Sequence, residues 1–98
     1  MEMKEGGVGI QRETAETLAI EALGFIAGDP ESLSRFLALS GIGPATLRRA
    51  AADPAFLAGV LDFVLADEPL LIQFARHAGI APERIAKARR AFGGSNEA

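Results

Sequence analysis

Apolar side chains recur along most of this chain at intervals of three and four residues, and no stretch alternates apolar with polar at period two. Ala and Leu dominate and β-branched residues are sparse, a composition that favours helix over strand. Glycine and proline mark where each helix stops and starts. The spacing predicts six helices, over about 13–27, 30–40, 44–52, 54–66, 68–78 and 82–92. The first places Ala15, Ala19, Ala22, Leu23 and Ile26 on one stripe. Glu13 and Glu16 lie in its first turn, where carboxylates suit the positive end of the helix dipole, and Gly28 ends it. Asp29-Pro30 and Asp53-Pro54 each offer an N-cap acceptor followed by proline at the first helical position, and Asp67-Glu68-Pro69 is a looser version. Helix capping is the expected role of all three aspartates. Gly41 and Gly79 fall just past apolar runs, where a C-terminal cap needs the left-handed conformation, and Pro44 and Pro82 open the next helices.

The fourth helix differs from its neighbours. Phe56, Leu57, Val60, Leu61, Phe63, Val64 and Leu65 cover most of its circumference, the pattern of a buried central helix. Its one charged interior residue, Asp62, shares a stripe with Ala55, Ala58, Gly59 and Ala66. That stripe reads as the solvent-facing side, because burying an unpaired carboxylate costs several kcal/mol, or else as a close helix–helix contact. The expected fold is all-α: a compact bundle of five to six short helices around this central one. Residues 1–11 read as a flexible leader, 12–92 as one helical domain and 93–98 as a flexible tail.

Composition narrows the chemistry. The chain has 98 residues, a formal charge of −3, one His and no Cys. Thiol catalysis, disulfides and cysteine-ligated metal sites are excluded, and no cofactor is expected. Residues 1–7 lack the apolar run of a secretory signal, and an apolar or small run such as 55–61 is too short to cross a bilayer. A cytoplasmic protein without membrane association is the expectation. The glycines of 6–9 have no strand–helix context or following Lys and are not read as a phosphate loop. His77, at the end of the fifth helix, has no Ser, Cys or second His beside it. A cation that suits the helix C-terminus explains it better than a general base does.

An internal duplication is visible at an offset of 38 residues: Asp29 with Asp67, Leu33 with Leu71, Phe36 with Phe74, Gly41 with Gly79, Ile42 with Ile80 and Pro44 with Pro82. Each half is a helix, a Gly-Ile-x-Pro turn and a second helix. The stretch from Phe36 through Gly41-Ile42-Gly43-Pro44 to Leu47 resembles the helix–hairpin–helix motif of DNA-binding proteins, and 29–92 resembles its tandem form. The resemblance implies that Gly41 and Gly43 let backbone N–H groups approach a phosphate, with the following helix dipole behind them. The second turn, Gly79-Ile80-Ala81, lacks the second glycine and is followed by Glu83.

Most of the chain resembles a second group. Residues 22–29, 35–41, 53–57 and 60–68 are similar to a family of short bacterial proteins, domain of unknown function 3572. That resemblance implies no activity, cofactor or catalytic residue.

Charge is uneven: residues 1–47 carry a net −4, 48–75 a net −2 and 76–98 a net +3. The last helix holds Arg84, Lys87, Arg89 and Arg90 around Ile85, Ala88 and Phe92, either as a solvated face or as a surface for an acidic partner. A pI near 5.1 weighs against strong duplex binding. The leading expectation is a non-enzymatic interaction or structural module that binds a protein partner or itself. The alternative, from another class, is weak sequence-independent nucleic-acid backbone binding through Gly41, Gly43, Thr46, Arg48 and Arg49, with Arg84, Lys87 and Arg90 as supplementary cations.

Overall fold

The computed structural model describes residues 10–93. It contains six helices: α1 (Arg12–Ala27), α2 (Pro30–Ser40), α3 (Pro44–Ala50), α4 (Pro54–Leu65), α5 (Glu68–Ala78) and α6 (Pro82–Ala91). There is no strand among the described residues. The expected leader and tail fall largely on 1–9 and 94–98, outside the described residues. Ile10 packs against the core ahead of α1.

Five helices open on proline at their first or second position, where the missing N–H has no partner to lose. Asp53 caps α4 by accepting the Ala55 N–H at 3.0 Å, and Asp67 caps α5 by accepting the Leu70 N–H at 3.2 Å. Asp29 departs from the capping expectation. It occupies the N-cap position of α2, but its carboxylate takes the Ser32 hydroxyl at 2.7 Å and no backbone N–H. Ser32 is buried, and the acceptor its hydroxyl requires lies three residues back on the same turn.

The two halves of the duplication close α2 and α5 differently. Gly41 and Gly79 are both left-handed, with φ of 77° and 72°. At Gly79 two bonds close the turn, Ile80 N–H to Ala75 O and Gly79 N–H to Arg76 O, the double pattern of a Schellman cap. At Gly41 the N–H bonds Leu37 O, the simpler left-handed cap. The helices that follow diverge as well. Ile85 and Ala88 of α6 are fully buried, whereas α3 buries no residue and ends at Ala50, two residues short of its expected end.

α1 and α4 make up the middle of the bundle, α1 packing on α2, α4 and α6, and α4 on α1, α5 and α6. The predicted α1 stripe is buried throughout, joined by Leu18. On α4, Leu57, Ala58, Val60, Leu61 and Val64 face inward, so the central place expected of α4 is shared with α1. Phe74 and Ile26 are the largest side chains with no exposure, and Phe74 contacts Phe25 at 5.6 Å between ring centroids. Arg12 stacks over the Phe92 ring at 5.1 Å and ties the start of α1 to the end of α6.

Candidate functional site

Ala55, Gly59, Asp62 and Ala66 lie at i, i+4, i+7 and i+11 along α4, which puts them on one face. That face is turned to solvent, as the sequence suggested, with Ala58 the one member of the expected stripe that is buried. α2 meets α4 through rings: Phe36 lies edge-on to Phe56 at 5.7 Å and to Phe63 at 5.2 Å. These three rings are longer than the small residues beside them. The small-residue face therefore becomes the floor of an open groove of about 440 Å³, walled by Phe36, Leu39, Phe56 and Phe63. Leu39, on the groove wall, is 77% exposed, the most exposed large apolar side chain among the described residues.

Two features make this face unusual for a free helix surface. Gly59 sits mid-helix with an ordinary helical backbone, and a Cβ there would meet nothing within 4 Å. Glycine costs such a position roughly 0.5–1 kcal/mol relative to Ala, and no contact within the chain requires it. Asp62, the one charged residue of the groove lining, accepts a hydrogen bond from Arg89 Nε at 2.7 Å. The groove floor is thus apolar apart from the Asp62 carboxylate, which is paired with Arg89.

That ion pair takes Arg89 out of the cations that the sequence grouped on the last helix as a solvated face or a surface for an acidic partner. Arg89 is buried, and its guanidinium also donates to the Gly93 carbonyl at 2.9 Å. Arg84 and Arg90 are exposed and Lys87 is half-buried, and none of the three makes an ion pair among the described residues. Arg48 and Arg49 are exposed in the last turn of α3, likewise without an ion pair there. Gly41 and Gly43 are exposed beside the first turn. Gly43 has φ of −91°, open to any residue type, and Thr46 donates its hydroxyl back to Gly43 O at 2.9 Å. Packing of α6 is chiefly on α1, α4 and α5.

A larger bowl of about 760 Å³ opens between α1 and α5, lined by Glu21, Phe25, Asp29, Gln73 and His77 among others. His77 rests its ring on Phe25 at 4.9 Å. It lies in the last turn of α5. No Ser, Thr, Cys, Lys or Tyr side chain lines the bowl, and among the described residues no three His, Asp or Glu side chains converge to hold a metal ion.

Arg35 links two groups near the groove. Its guanidinium donates to Asp67 at 2.9 Å and stacks over Phe63 at 5.4 Å. Asp67 is held ionised below its ordinary range, first by the Leu70 N–H it accepts and then by Arg35. The sequence showed the small stripe on α4 and favoured solvent over a helix contact for it. It gave no sign of the groove, because one wall comes from Phe36 and Leu39 on another helix.

The family model described as protein of unknown function (DUF3572) matches residues 12–95, well over half of the chain, and the chain belongs to that family. No curated protein and no solved structure matches it.

Proposed function

We propose that this chain is a non-enzymatic interaction module that receives an apolar helix in the groove between α2 and α4. The observation that carries this reading is one concave strip formed by exposed Leu39, Ala55 and Gly59 with half-buried Phe56 and Phe63. Helix-in-groove recognition uses such a shape, with a floor of small residues that allows close approach. Gly59, free of any contact that would demand glycine within the chain, fits a floor against which a second backbone comes near. A non-enzymatic role is further supported by the bowl at His77, whose lining holds no Ser, Thr, Cys, Lys or Tyr side chain.

Two variants test it. Leu39→Glu and Gly59→Gln put a charge on the wall and an amide on the floor, at positions where neither displaces core. Sedimentation velocity reads self-association, and crosslinking in cells expressing the chain reads a different partner. Loss of either complex in both variants, with unchanged circular dichroism, is the expected result. A strictly monomeric protein whose crosslinks are identical in wild type and variants removes the reading.

Arg48, Arg49, Arg84, Lys87 and Arg90, without ion pairs among the described residues, support the second reading of weak nucleic-acid backbone binding. Titration of labelled duplex at about 50 mM salt tests it, because phosphate contacts are strongest at low salt. No binding there removes it. A cytoplasmic location belongs to the same proposal, supported by the absence of Cys from a domain small enough to profit from disulfides in an oxidising compartment. Cell fractionation checks it.

A further inference from the structure

We propose that α3 is a flap that leaves α1 while the other five helices stay folded, and that its opening widens the mouth of the α2/α4 groove; the second half rests on the groove reading above. α3 has seven residues and none is buried. Its hold on the body comes from Leu47 and Ala51, which pack against the core while remaining half-exposed. Beneath it, Pro44, Leu47 and Arg48 face Ile20, Leu23, Gly24 and Ala27 of α1 across an open space of about 520 Å³. A helix this short does not persist on propensity alone, so its helicity depends on that light contact. Segments with few buried apolar contacts open locally at a free energy below that of global unfolding.

The duplicated half supplies an internal control. α6 occupies the position in the repeat that α3 occupies in the first half, yet Ile85 and Ala88 are fully buried and Arg89 is bonded to Asp62. Ile85, the counterpart of Leu47, is locked in the core. The hinges differ in the same sense. α5 ends in the doubly bonded Schellman cap, whereas Gly41 closes α2 with one bond and is followed by a second glycine, Gly43, two residues on. Residues 51–53, half-exposed to exposed, form the other hinge.

Residues 41–53 are also the chain that joins the two walls of the groove. Leu39 and Ser40, at the end of α2, and Ala55 and Phe56, at the start of α4, line it together. With α3 docked on α1, the span between these two ends is fixed. With α3 released, thirteen residues of chain replace a docked helix, and Ser40 and Ala55 lose that tie, while the contacts of Phe36 with Phe56 and Phe63 still join α2 to α4 and set how far the mouth can widen.

Native-state hydrogen exchange on the full chain tests the flap without any partner. Amides of α3 are expected to exchange at least about a hundredfold faster than those of Val60 and Leu61, with little response to low denaturant. Leu47→Ala is expected to raise α3 exchange by roughly tenfold and leave α4 nearly unchanged, whereas Ile85→Ala raises exchange in α4, α5 and α6 together. Exchange of α3 as one unit with α4, or a uniform loss of protection in Leu47→Ala, overturns the flap. Because the chain has no Cys, spin labels placed by Ser40→Cys and Ala55→Cys report the groove mouth selectively. Their distance distribution is expected to gain a longer component in Leu47→Ala, and a distribution unchanged while α3 opens overturns the coupling to the groove. Neither readout needs a bound helix, so a flap that opens in a protein with no partner would defeat the groove reading and leave this one standing.

Discussion

Arg89 and Asp62 meet at 2.7 Å between α6 and α4, and the two partners sit in different surroundings: the Arg89 side chain is 10% exposed and that of Asp62 is 55% exposed. The buried member is the one that needs the contact. Removing the carboxylate leaves a guanidinium inside the protein with one acceptor fewer, whereas removing the guanidinium leaves a carboxylate that water already reaches. Asp62→Ala is therefore expected to destabilise by roughly 1–2 kcal/mol, and Arg89→Met by less, since an unbranched apolar side chain can occupy the same channel. Urea denaturation followed by circular dichroism reads both, and a larger loss for Arg89→Met would contradict the asymmetry.

Asp67 supplies a pH dependence with a defined sign. Its carboxyl is held below the ordinary 3.8 by the Leu70 N–H first and the Arg35 side chain second. A folded value below the unfolded one contributes stability that is present above the unfolded value and is lost as pH falls through the folded value. Wild-type melting temperature is expected to fall more steeply below about pH 4 than that of Asp67→Asn, which has no such proton to take up. Parallel curves between pH 5 and 2 would show that the carboxylate has no share in the acid limb.

Gly59 and Gly24 lie in helix interiors where an added Cβ would meet nothing within 4 Å. Gly59→Ala and Gly24→Ala are each expected to stabilise by about 0.5–1 kcal/mol, because alanine restricts the unfolded chain and fits the helical backbone. For a domain of this size each substitution should raise the melting temperature by roughly 2–8 °C. A fall in melting temperature for either would mean that the space beside that helix is filled in solution.

Asp29 and Ser32 form a self-contained pair on the first turn of α2, with the buried hydroxyl bonded to the carboxylate at 2.7 Å. Asp29→Ala and Ser32→Ala are expected to be non-additive, with a coupling of about 0.5–1 kcal/mol in a double-mutant cycle. Asp53→Ala, which removes a true backbone cap, should cost about 1 kcal/mol by itself and add independently to Ser32→Ala. Additivity within the first pair would place the Ser32 hydroxyl on another acceptor.

The helices themselves were legible along the chain, because what makes them is local. Proline after aspartate, glycine after an apolar run, and the stripe of Ala15, Ala19, Ala22, Leu23 and Ile26 each act within a turn or two, and all reappear in place. The all-α class, the buried face of α4 and the left-handed turns at Gly41 and Gly79 follow from the same short-range rules. Asp29 escaped them, since a carboxylate at a helix start has two partners in reach and the sequence does not say which one it takes.

What no reading of the chain decided is how the rods face one another. Arg89 and Asp62 are 27 residues apart, Arg35 and Asp67 are 32 apart, and each pairing exists because two helices happen to bring complementary charges together. The repeat likewise hid its own asymmetry: Leu47 and Ile85 hold matching positions, yet one sits half-exposed on a loosely held helix and the other is sealed in the core. Hydrophobic burial has no direction along the sequence. Which of two equivalent apolar residues finds a cavity, and which face of α4 is left open beside Phe36 and Leu39, is settled when all six helices compete for the same interior.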